Sequence, residues 1–293
     1  MAHPPAKIEA LLPAWKAAEF IQPTLNALSA QTHKDFTVCV SVDMSDDNDA
    51  TYDICQRHAE RDSRFRVIRQ AQRLGYAGNC NFLMNQSGAE YVLLAFHDDI
   101  LAPTYFEKLA AALDAHPEAV LSYSDVDLTH ANGKREHWVY TSLDGLTSRS
   151  ERGHSVMMAQ GKWWVPNRGM FRLEPSRTIG GIKNHGAGEF SVDWPWLFRL
   201  SLLGEFVRVP ETLCFKFYKP GSLSRSWDFS KEQYFEVGAA NMRELWNSEL
   251  TTEEKLKLSV PLTNWLVDRA PEEKHVEQPP PKYHFVLPQQ SSK

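Results

Sequence analysis

The 293-residue sequence has few cysteines, and the four that it has follow no metal-binding or disulfide pattern. They are Cys39, Cys55, Cys80 and Cys214, and no two of them have the CxxC spacing of zinc or redox sites. Three of the four lie in apolar or helical segments, which favours buried free thiols over a disulfide framework. Because free thiols suit a reducing compartment, we expect a cytoplasmic protein.

The sequence also lacks a long hydrophobic run and an excess of positive charge. No uncharged apolar stretch approaches the roughly 18 residues that a membrane span needs, and residues 1–15 do not have the pattern of a signal peptide. The formal net charge of −5 argues against nucleic acid as a partner. Aromatic residues are numerous, with 15 Phe, 9 Trp and 9 Tyr, so peripheral contact with the inner face of a membrane is compatible with the composition.

Strand-like and helix-like segments alternate through the first half of the chain. The predicted strands are 8–12, 36–42, 65–68, 91–96 and 119–123, and the predicted helices are 17–30, 50–61, 76–86 and 103–115. This alternation is typical of βαβ units, so we expect an α/β fold with a mostly parallel, Rossmann-like sheet flanked by helices.

The second half is less regular and predicts a smaller lobe followed by C-terminal helices. Its predicted elements are a hairpin at 124–140 turning at Asn132-Gly133, strands at 206–209 and 213–217, and helices at 192–203, 231–246 and 252–268. From residue 271 onward the composition turns to Pro, Gln, Glu and Lys, which predicts a flexible tail.

Acidic residues follow two of the predicted strands, at the edge where ligands bind in such sheets. Asp43 comes directly after the strand at 36–42, and Asp98 and Asp99 follow the run at 91–96. Two adjacent carboxylates repel each other, and a hard divalent cation such as Mg²⁺ or Mn²⁺ would relieve that repulsion. The alternative is a helix cap before Pro103, which would use one carboxylate, and Asp43 could likewise be an ordinary turn residue.

Six short motifs follow one another in the first part of the chain. They are Pro13-Ala14-Trp15-Lys16, Gln31-Thr32, Ser41-Val42-Asp43-Met44-Ser45, Arg73-Leu74-Gly75-Tyr76-Ala77-Gly78-Asn79-Cys80-Asn81, His97-Asp98-Asp99 and Ala102-Pro103. In order and spacing they resemble the motifs of family 2 glycosyltransferases, a large inverting group with the GT-A fold. The resemblance runs from about residue 8 to residue 226. Lys16 and Arg73 stand where the family has asparagine, and His97-Asp98-Asp99 occupies the DXD position.

The resemblance implies roles for individual residues. Asp43 would hydrogen-bond the nucleotide base, Arg73 would lie near the diphosphate, and Asp98 would contact the ribose or assist a metal ion. Asp99 would be the main ligand of Mn²⁺ or Mg²⁺. The charge of Arg73 suits a diphosphate independently of any family. The remaining residues of the predicted nucleotide site are Pro13, Trp15 and Asn81.

An inverting transfer needs a carboxylate that takes a proton from the acceptor hydroxyl. The family places this base in a Glu-Asp pair that begins a helix. Here Asp193 and Arg199 match that motif, and Val192 replaces the glutamate. The resemblance therefore implies that Asp193 is the catalytic base. Pro195 also supports a helix start at this point, so an N-cap role for Asp193 is the alternative, with Glu189 as the nearest other base.

Aromatic and basic residues in the less regular part are candidates for the acceptor and phosphate sites. Indole faces stack against sugar rings, so Trp163, Trp164 and Trp194 are predicted to bind the acceptor, with core packing as the alternative for each. Many relatives have a histidine near Tyr218 that helps to hold the metal or the diphosphate. Lys219 and Arg225 are the phosphate candidates in its place.

Taken together, the residues and the resemblance predict a metal-dependent glycosyltransferase. It would transfer a sugar with inversion from a nucleotide diphosphate sugar, most frequently UDP-linked in the family, to a hydroxyl of a saccharide or lipid-linked saccharide in surface polysaccharide or glycan biosynthesis. The predicted regions are a nucleotide-sugar half (1–125), a metal and acceptor half of the same domain (126–228), C-terminal helices (229–270) and the tail (271–293). The alternative is a catalytically silent nucleotide- or sugar-binding protein. A nucleotidyltransferase is disfavoured because residues 13–20 contain no glycine for a phosphate loop.

Overall fold

The computed structural model describes residues 6–47, 49–159, 161–218 and 227–270. Within these ranges nine strands form one mixed sheet, accompanied by nine α-helices and one 3₁₀-helix at Pro166–Arg168. The strands are β1 (Ile8–Ala14), β2 (Phe36–Val42), β3 (Phe65–Arg69), β4 (Tyr91–Leu94), β5 (Asp99–Leu101), β6 (Ala119–Thr129), β7 (Arg135–Trp138), β8 (Met170–Arg172) and β9 (Glu205–Phe217). The α-helices are α1 (Ile21–Ser29), α2 (Ala50–Ala59), α3 (Gly75–Gln86), α4 (Tyr105–Ala115), α5 (Arg149–Met157), α6 (Leu173–Thr178), α7 (Asp193–Ser201), α8 (Lys231–Trp246) and α9 (Thr252–Arg269).

The first four strands form a parallel half-sheet in the order β3-β2-β1-β4. All residues of β1 and β4 are buried, as expected for strands covered on both faces. β1 extends to Ala14, although we expected Pro13 to end it. The carbonyl of Ala14 points toward β2 and accepts the N–H of Asp43. Because backbone groups alternate in direction along a strand, the nitrogen of Pro13 points to the opposite side, toward β4. The last partner on β4 is Leu94, opposite Leu11, and no strand there requires the missing N–H of the proline.

The sheet continues through β8, β6, β9 and β5, where antiparallel pairs are added to the parallel β6–β9 pair. The predicted hairpin is confirmed, since β6 pairs with β7 and the chain turns through Asn132 and Gly133. The two strands expected at 206–209 and 213–217 are one strand, β9. Its register against β6 shifts between Val209 and Thr212, where Pro210 cannot donate a ladder hydrogen bond.

The helices after β9 form where the sequence predicts them. Ser230 caps α8 by accepting the N–H of Gln233, whose side chain accepts the N–H of Ser230 in return. Thr251 and Glu254 cap α9 in the same way. The first helix begins at Ile21 rather than at residue 17, because the Ala17 carbonyl closes a turn with the N–H groups of Phe20 and Ile21.

The predicted boundary at residue 125 falls inside β6, and one continuous sheet joins the residues on both sides of it. The predicted nucleotide region and acceptor region are therefore not separate domains but parts of one continuous sheet. The predicted tail at 271–293 lies outside the described residues. Among the helices that the structure describes, none has the length and apolar character that crossing a bilayer requires. All four cysteines are described, and each is a buried free thiol, as the sequence predicts.

Candidate active site

A cleft with a volume of about 340 Å³ opens beyond the carboxyl ends of β1 and β2. Its size is typical of small-ligand sites. The lining includes Pro13, Trp15, Asp43 and Arg73, which are four of the six residues predicted to bind a nucleotide. The other lining residues are Ala14, Lys16, Phe20, Gly75, Tyr76, Asn79, His97 and Glu189. The fold thus brings motifs that are distant in the sequence to one edge of the sheet.

Two cationic side chains flank the indole of Trp15 on the wall of the cleft. The guanidinium carbon of Arg73 lies 4.4 Å from the ring centroid, and Lys16 Nζ lies 5.0 Å from it. Lys16 has a φ of 47°, in the left-handed region that asparagine tolerates better than most residues. The left-handed backbone at Lys16 would therefore also accommodate the asparagine that the family motif has at this position. The ammonium of Lys16 also pairs with Asp46 at 2.5 Å. This wall carries positive charge that can meet a diphosphate.

Asp43 is buried at the base of the cleft and anchors the start of α3. Its Oδ1 accepts the N–H of Leu74 at 2.6 Å, and its Oδ2 accepts the N–H of Gly75 at 2.8 Å. Gly75 has a φ of 74°, and a Cβ at this position would collide with the carboxylate of Glu189. Each carboxylate oxygen has a second lone pair, so the predicted bond from Asp43 to a nucleotide base remains a prediction.

Asn81 is not placed at the cleft, and the prediction that it binds the nucleotide is corrected. Its side-chain amide donates to the carbonyl of Ile182 at 2.6 Å, and its Oδ1 accepts the N–H of Ile182 at 2.9 Å. It therefore fastens α3 to the loop before α7. Asn79, two residues earlier on the helix, lines the cleft instead and donates to the Ser41 carbonyl at 3.0 Å. Among the described residues, its buried Oδ1 has no hydrogen-bond partner.

The predicted metal ligand Asp99 lies in a buried cluster of charges. Its side chain is 3 % exposed, and Oδ2 accepts the Nε–H of Arg168 at 2.7 Å. The antiparallel pairing of β5 with β9 sets Lys216 directly opposite Asp99. Lys216 Nζ lies 3.6 Å from Asp99 Oδ1 and 3.9 Å from Asp98 Oδ2. Two carboxylates and two cationic groups thus face one another at this point.

This cluster does not fit a divalent ion held mainly by Asp99. Oδ1 would be the free ligand oxygen, since among the described residues it has no hydrogen-bond partner, but the ammonium of Lys216 faces it. Within the described ranges, no group of three or more His, Cys, Asp or Glu side chains could hold a metal ion. In this structure Asp99 therefore forms ion pairs with Arg168 and Lys216, and its role as main metal ligand remains a prediction. The repulsion between Asp98 and Asp99, from which we inferred a metal, is relieved by the two cationic side chains.

Arg168 links the charged cluster to two aromatic side chains, and none of the sequence motifs includes it. Its guanidinium carbon lies 4.5 Å from the ring centroid of Phe96 and 5.1 Å from that of Trp164. Burial by itself would lower the pKa of Arg168, but the nearby acidic groups, Asp99 foremost and Asp98 among them, together outweigh burial and raise the pKa. Arg168 lies in the segment rich in Gly, Arg and Trp, whose composition alone does not select one arginine.

Asp193 is buried at the start of α7, next to the cleft residue Tyr76. Asn167 Nδ2 donates to Oδ2 of Asp193 at 2.5 Å, and the hydroxyl of Tyr76 lies 3.5 Å from the same oxygen. Burial raises the pKa of Asp193 to about 6, against the opposing charge of Arg168. The N-cap position of α7 belongs to Val192, and Asp193 is the first helical residue. Asp193 therefore does not occupy the N-cap position, which was the alternative role for it.

Of the three tryptophans predicted to bind an acceptor, Trp194 is corrected to a core residue. It is fully buried, donates its indole N–H to the Val156 carbonyl at 2.7 Å, and packs edge-on against Trp265. Trp163 stacks on Trp194 with ring centroids 5.5 Å apart, and Trp164 packs near Trp138. Both are half-buried, so an acceptor role for them remains a prediction. The phosphate candidates Lys219 and Arg225 lie outside the described residues.

Glu189 supplies the second carboxylate near Asp193, and unlike Asp193 it lines the cleft directly. From the sequence alone, Glu189 is only the nearest alternative to Asp193 as the base. Between Glu189 and α7, Ser191 has a φ of 50°, which is unusual for a residue other than glycine. Such conformations are often found near functional sites. Besides the buried Asp43, the cleft therefore has Glu189 in its lining, and the buried Asp193 lies next to the lining residue Tyr76.

In α/β sheets of this kind, ligands bind in the crevice beyond the carboxyl ends of the strands, and the cleft lies at that position. Comparison with known sequences specifies this further. The profile described as glycosyl transferase family 2 matches residues 10–172, more than half of the chain. The chain belongs to this family, as the motifs predict.

The proteins that are similar to this chain establish its fold, and they establish less about its function. The uncharacterized protein y4gI of Sinorhizobium fredii is 26 % identical over 111 residues, which are 38 % of this chain and only 12 % of that protein. The structure of S. aureus TarS 1–349 with UDP-GlcNAc matches with a TM-score of 0.69 and 18 % identity, over 89 % of this chain and 73 % of TarS. The mannosyltransferase PcManGT of Pyrobaculum calidifontis, in complex with GDP-Man and Mn²⁺, matches with a TM-score of 0.59 and 14 % identity, over 91 % and 73 %. These similarities confirm the predicted GT-A-type α/β fold.

Proposed function

We propose that the chain transfers a sugar from a nucleoside diphosphate sugar to an acceptor hydroxyl, with inversion at the anomeric carbon. The observation that carries the proposal is the position of the buried Asp193 carboxylate beside Tyr76, a residue of the cleft. Family membership and the nucleotide sugars bound to TarS and PcManGT support the choice of donor. UDP is the proposed nucleotide, as in the TarS complex.

The donor is proposed to bind with its nucleotide along the wall formed by Pro13, Trp15 and Arg73. An indole offers a face to a flat base, and a guanidinium can form paired hydrogen bonds with phosphate oxygens. Asp43 and Asn79 lie at the base of the same cleft, where Asn79 Oδ1 has no hydrogen-bond partner among the described residues. An unpaired buried acceptor is costly unless a ligand donates to it, so a ribose hydroxyl or a base N–H is a suitable partner.

The proposed chemical step is a single displacement in which Asp193 acts as general base. Its carboxylate takes the proton of the acceptor hydroxyl while the hydroxyl oxygen forms a bond to the anomeric carbon. The bond from that carbon to the diphosphate breaks, and the leaving group carries the electron pair away. A pKa of about 6 keeps Asp193 ionised at neutral pH yet basic enough to accept the proton. Tyr76 and Asn167 orient the carboxylate from one side.

The acceptor is proposed to be a saccharide or lipid-linked saccharide, in surface polysaccharide or glycan biosynthesis at the cytoplasmic face of a membrane. Trp163 and Trp164 are half-buried and supply aromatic faces suited to a sugar ring, and Trp164 lies beside Arg168 of the charged cluster. The buried free thiols are consistent with a reducing compartment.

A catalytically silent binding protein is the second candidate. It is favoured by Val192, which stands at the family glutamate position and is buried in the core. Both candidates predict binding of the donor, and only the first predicts cleavage of the bond between the sugar and the diphosphate.

Nucleotide binding is expected to raise the unfolding temperature of the protein. A ligand that binds the native state alone, at about 100-fold above its Kd, adds about 2.7 kcal/mol to the free energy of unfolding. We expect UDP to give such a shift in thermal denaturation, and Arg73→Ala to remove most of it. Arg69→Ala is the matched control, since Arg69 pairs with Asp49 on the surface and does not line the cleft. Absence of a shift with UDP, GDP and ADP, each measured with and without Mn²⁺, would contradict the proposed function.

A further inference from the structure

The charged cluster at Asp98 and Asp99 contains two cationic side chains among the described residues, Arg168 and Lys216. Arg168 donates to one oxygen of Asp99, and the ammonium of Lys216 lies within 4 Å of both carboxylates. Among the described residues, two positive side chains therefore face two negative ones. A divalent ion placed here would meet the positive charges of Arg168 and Lys216 as well as the two carboxylates. Its net attraction would be much weaker than at an unaccompanied carboxylate pair.

The side chain of Lys216 is positioned by its place on β9 and by the carboxylates that it faces. Its register opposite Asp99 points its stem into the interior, and the side chain is only 11 % exposed. The separations of 3.6 Å and 3.9 Å are longer than hydrogen bonds, so these two contacts leave ammonium donors available. A lysine in this state can turn toward an additional anionic group without breaking a hydrogen bond to Asp98 or Asp99.

The cluster also adjoins the cleft. His97, which precedes Asp98, lines the cleft, and Phe96 lies under Arg168 on one side. On the other side Phe96 stacks near the cleft residue Tyr76, with ring centroids 6.4 Å apart. A diphosphate that occupies the cleft beside His97 would therefore lie one residue along the chain from Asp98, whose carboxylate Lys216 faces.

We propose that Lys216 supplies the positive charge that faces the diphosphate, so that nucleoside diphosphate binding needs no divalent metal ion. The proposal rests on the proposed function, because it assigns the cation of the same donor site. Lysine can act as a point charge toward phosphate, and Arg168 keeps the neighbouring Asp99 neutralised while Lys216 turns.

The test is the Kd of UDP measured by calorimetry in EDTA and in Mn²⁺, for the full chain and for Lys216→Met. We expect the unmodified chain to bind UDP with the same Kd, within about threefold, in both conditions. Loss of a hydrogen bond to a charged group corresponds to about 10-fold to 100-fold in Kd, so Lys216→Met should bind this much more weakly in EDTA. Mn²⁺ should restore part of the affinity, since the variant removes the ammonium that faces Asp98 and Asp99.

Two further variants control for folding and for charge in general. Lys216→Arg keeps a positive charge at this position and should still bind UDP in EDTA. This variant tests whether the charge is what binding requires, and it does so even if Lys216→Met folds poorly. Lys134→Met removes an exposed lysine on the hairpin and should leave the Kd unchanged.

The outcomes separate this proposal from the proposed function. Binding by the unmodified chain in Mn²⁺ but not in EDTA would overturn the role of Lys216 and leave the glycosyltransferase assignment standing. Equal binding by the unmodified chain and folded Lys216→Met in EDTA would likewise overturn it. Absence of UDP binding in every condition would instead count against the proposed function itself.

Discussion

Replacing Asp193 by asparagine is expected to lower sugar transfer by about 10²-fold to 10⁴-fold, the usual contribution of a general base. The substitution keeps the shape of the side chain and removes the oxygen that takes the proton. Donor affinity should change little, because the cleft wall at Trp15 and Arg73 lies apart from Asp193. Transfer in the unmodified chain should also fall as pH decreases through about 6, where Asp193 becomes protonated.

Glu189→Gln is the matched control for this prediction. Glu189 is the other carboxylate near the site and lines the cleft. We expect a smaller loss in transfer for Glu189→Gln than for Asp193→Asn. Near-normal turnover of Asp193→Asn together with a loss above 10²-fold for Glu189→Gln would move the base to Glu189.

The stability of Asp193→Asn gives a readout that is independent of the acceptor. The pKa of Asp193 is raised in the folded state, so between roughly pH 4 and pH 6 the native protein holds a proton that the unfolded chain has released. Stability contributed by this proton is present below pH 4 and is lost as pH rises through 6. At pH 8 the neutral asparagine should therefore be more stable than aspartate by up to about 3 kcal/mol in urea denaturation, and this difference should shrink at pH 5.

Replacing Arg168 by methionine is expected to destabilise the fold by about 3–5 kcal/mol, because Asp99 would keep a buried charge without its hydrogen-bonded partner. The double variant Arg168→Met, Asp99→Leu should recover much of this loss, since it removes the second charge as well. Urea denaturation at pH 7 measures all three proteins.

The control for this prediction is the exposed pair of Arg69 and Asp49, where Arg69→Ala should cost less than about 1 kcal/mol. A similarly small cost for Arg168→Met would show that Asp99 is not held as a buried ion pair. Equal destabilisation in the single and double variants would point to lost packing between Phe96 and Trp164 as the cause.

Local patterns predicted much of the fold. Apolar runs at β2 and β4 and the capping residues Ser230 and Thr251 determine elements through neighbours only a few positions away. The same holds for the cleft residues that sit directly after strands, such as Asp43. Because parallel strands end at one edge, their C-terminal residues had to meet there.

The misplaced residues depend on long-range packing that no local pattern contains. Lys216 faces Asp99 only because β9 pairs with β5 across more than a hundred residues of chain. Trp194 looks like a stacking platform in sequence, yet α7 turns it into the core against Trp265. Asn81 and Asn79 lie two positions apart on α3, and only the rotation of that helix decides which one reaches the cleft. The charge of Asp98 and Asp99 predicted a divalent metal ion, and the sequence could not show that Arg168 and Lys216 face these carboxylates.

The most direct test of the central claim is to incubate the protein with UDP-sugars and saccharide acceptors and to follow the anomeric signals by NMR. The proposed function predicts that the donor signal disappears with release of UDP, and that the new sugar bond, or the free sugar where water is the acceptor, forms first with the inverted configuration. Asp193→Asn should bind the same donor and leave it intact on the same timescale. A donor that binds in the cleft and is never cleaved, or a product that keeps the configuration of the donor, would contradict the account.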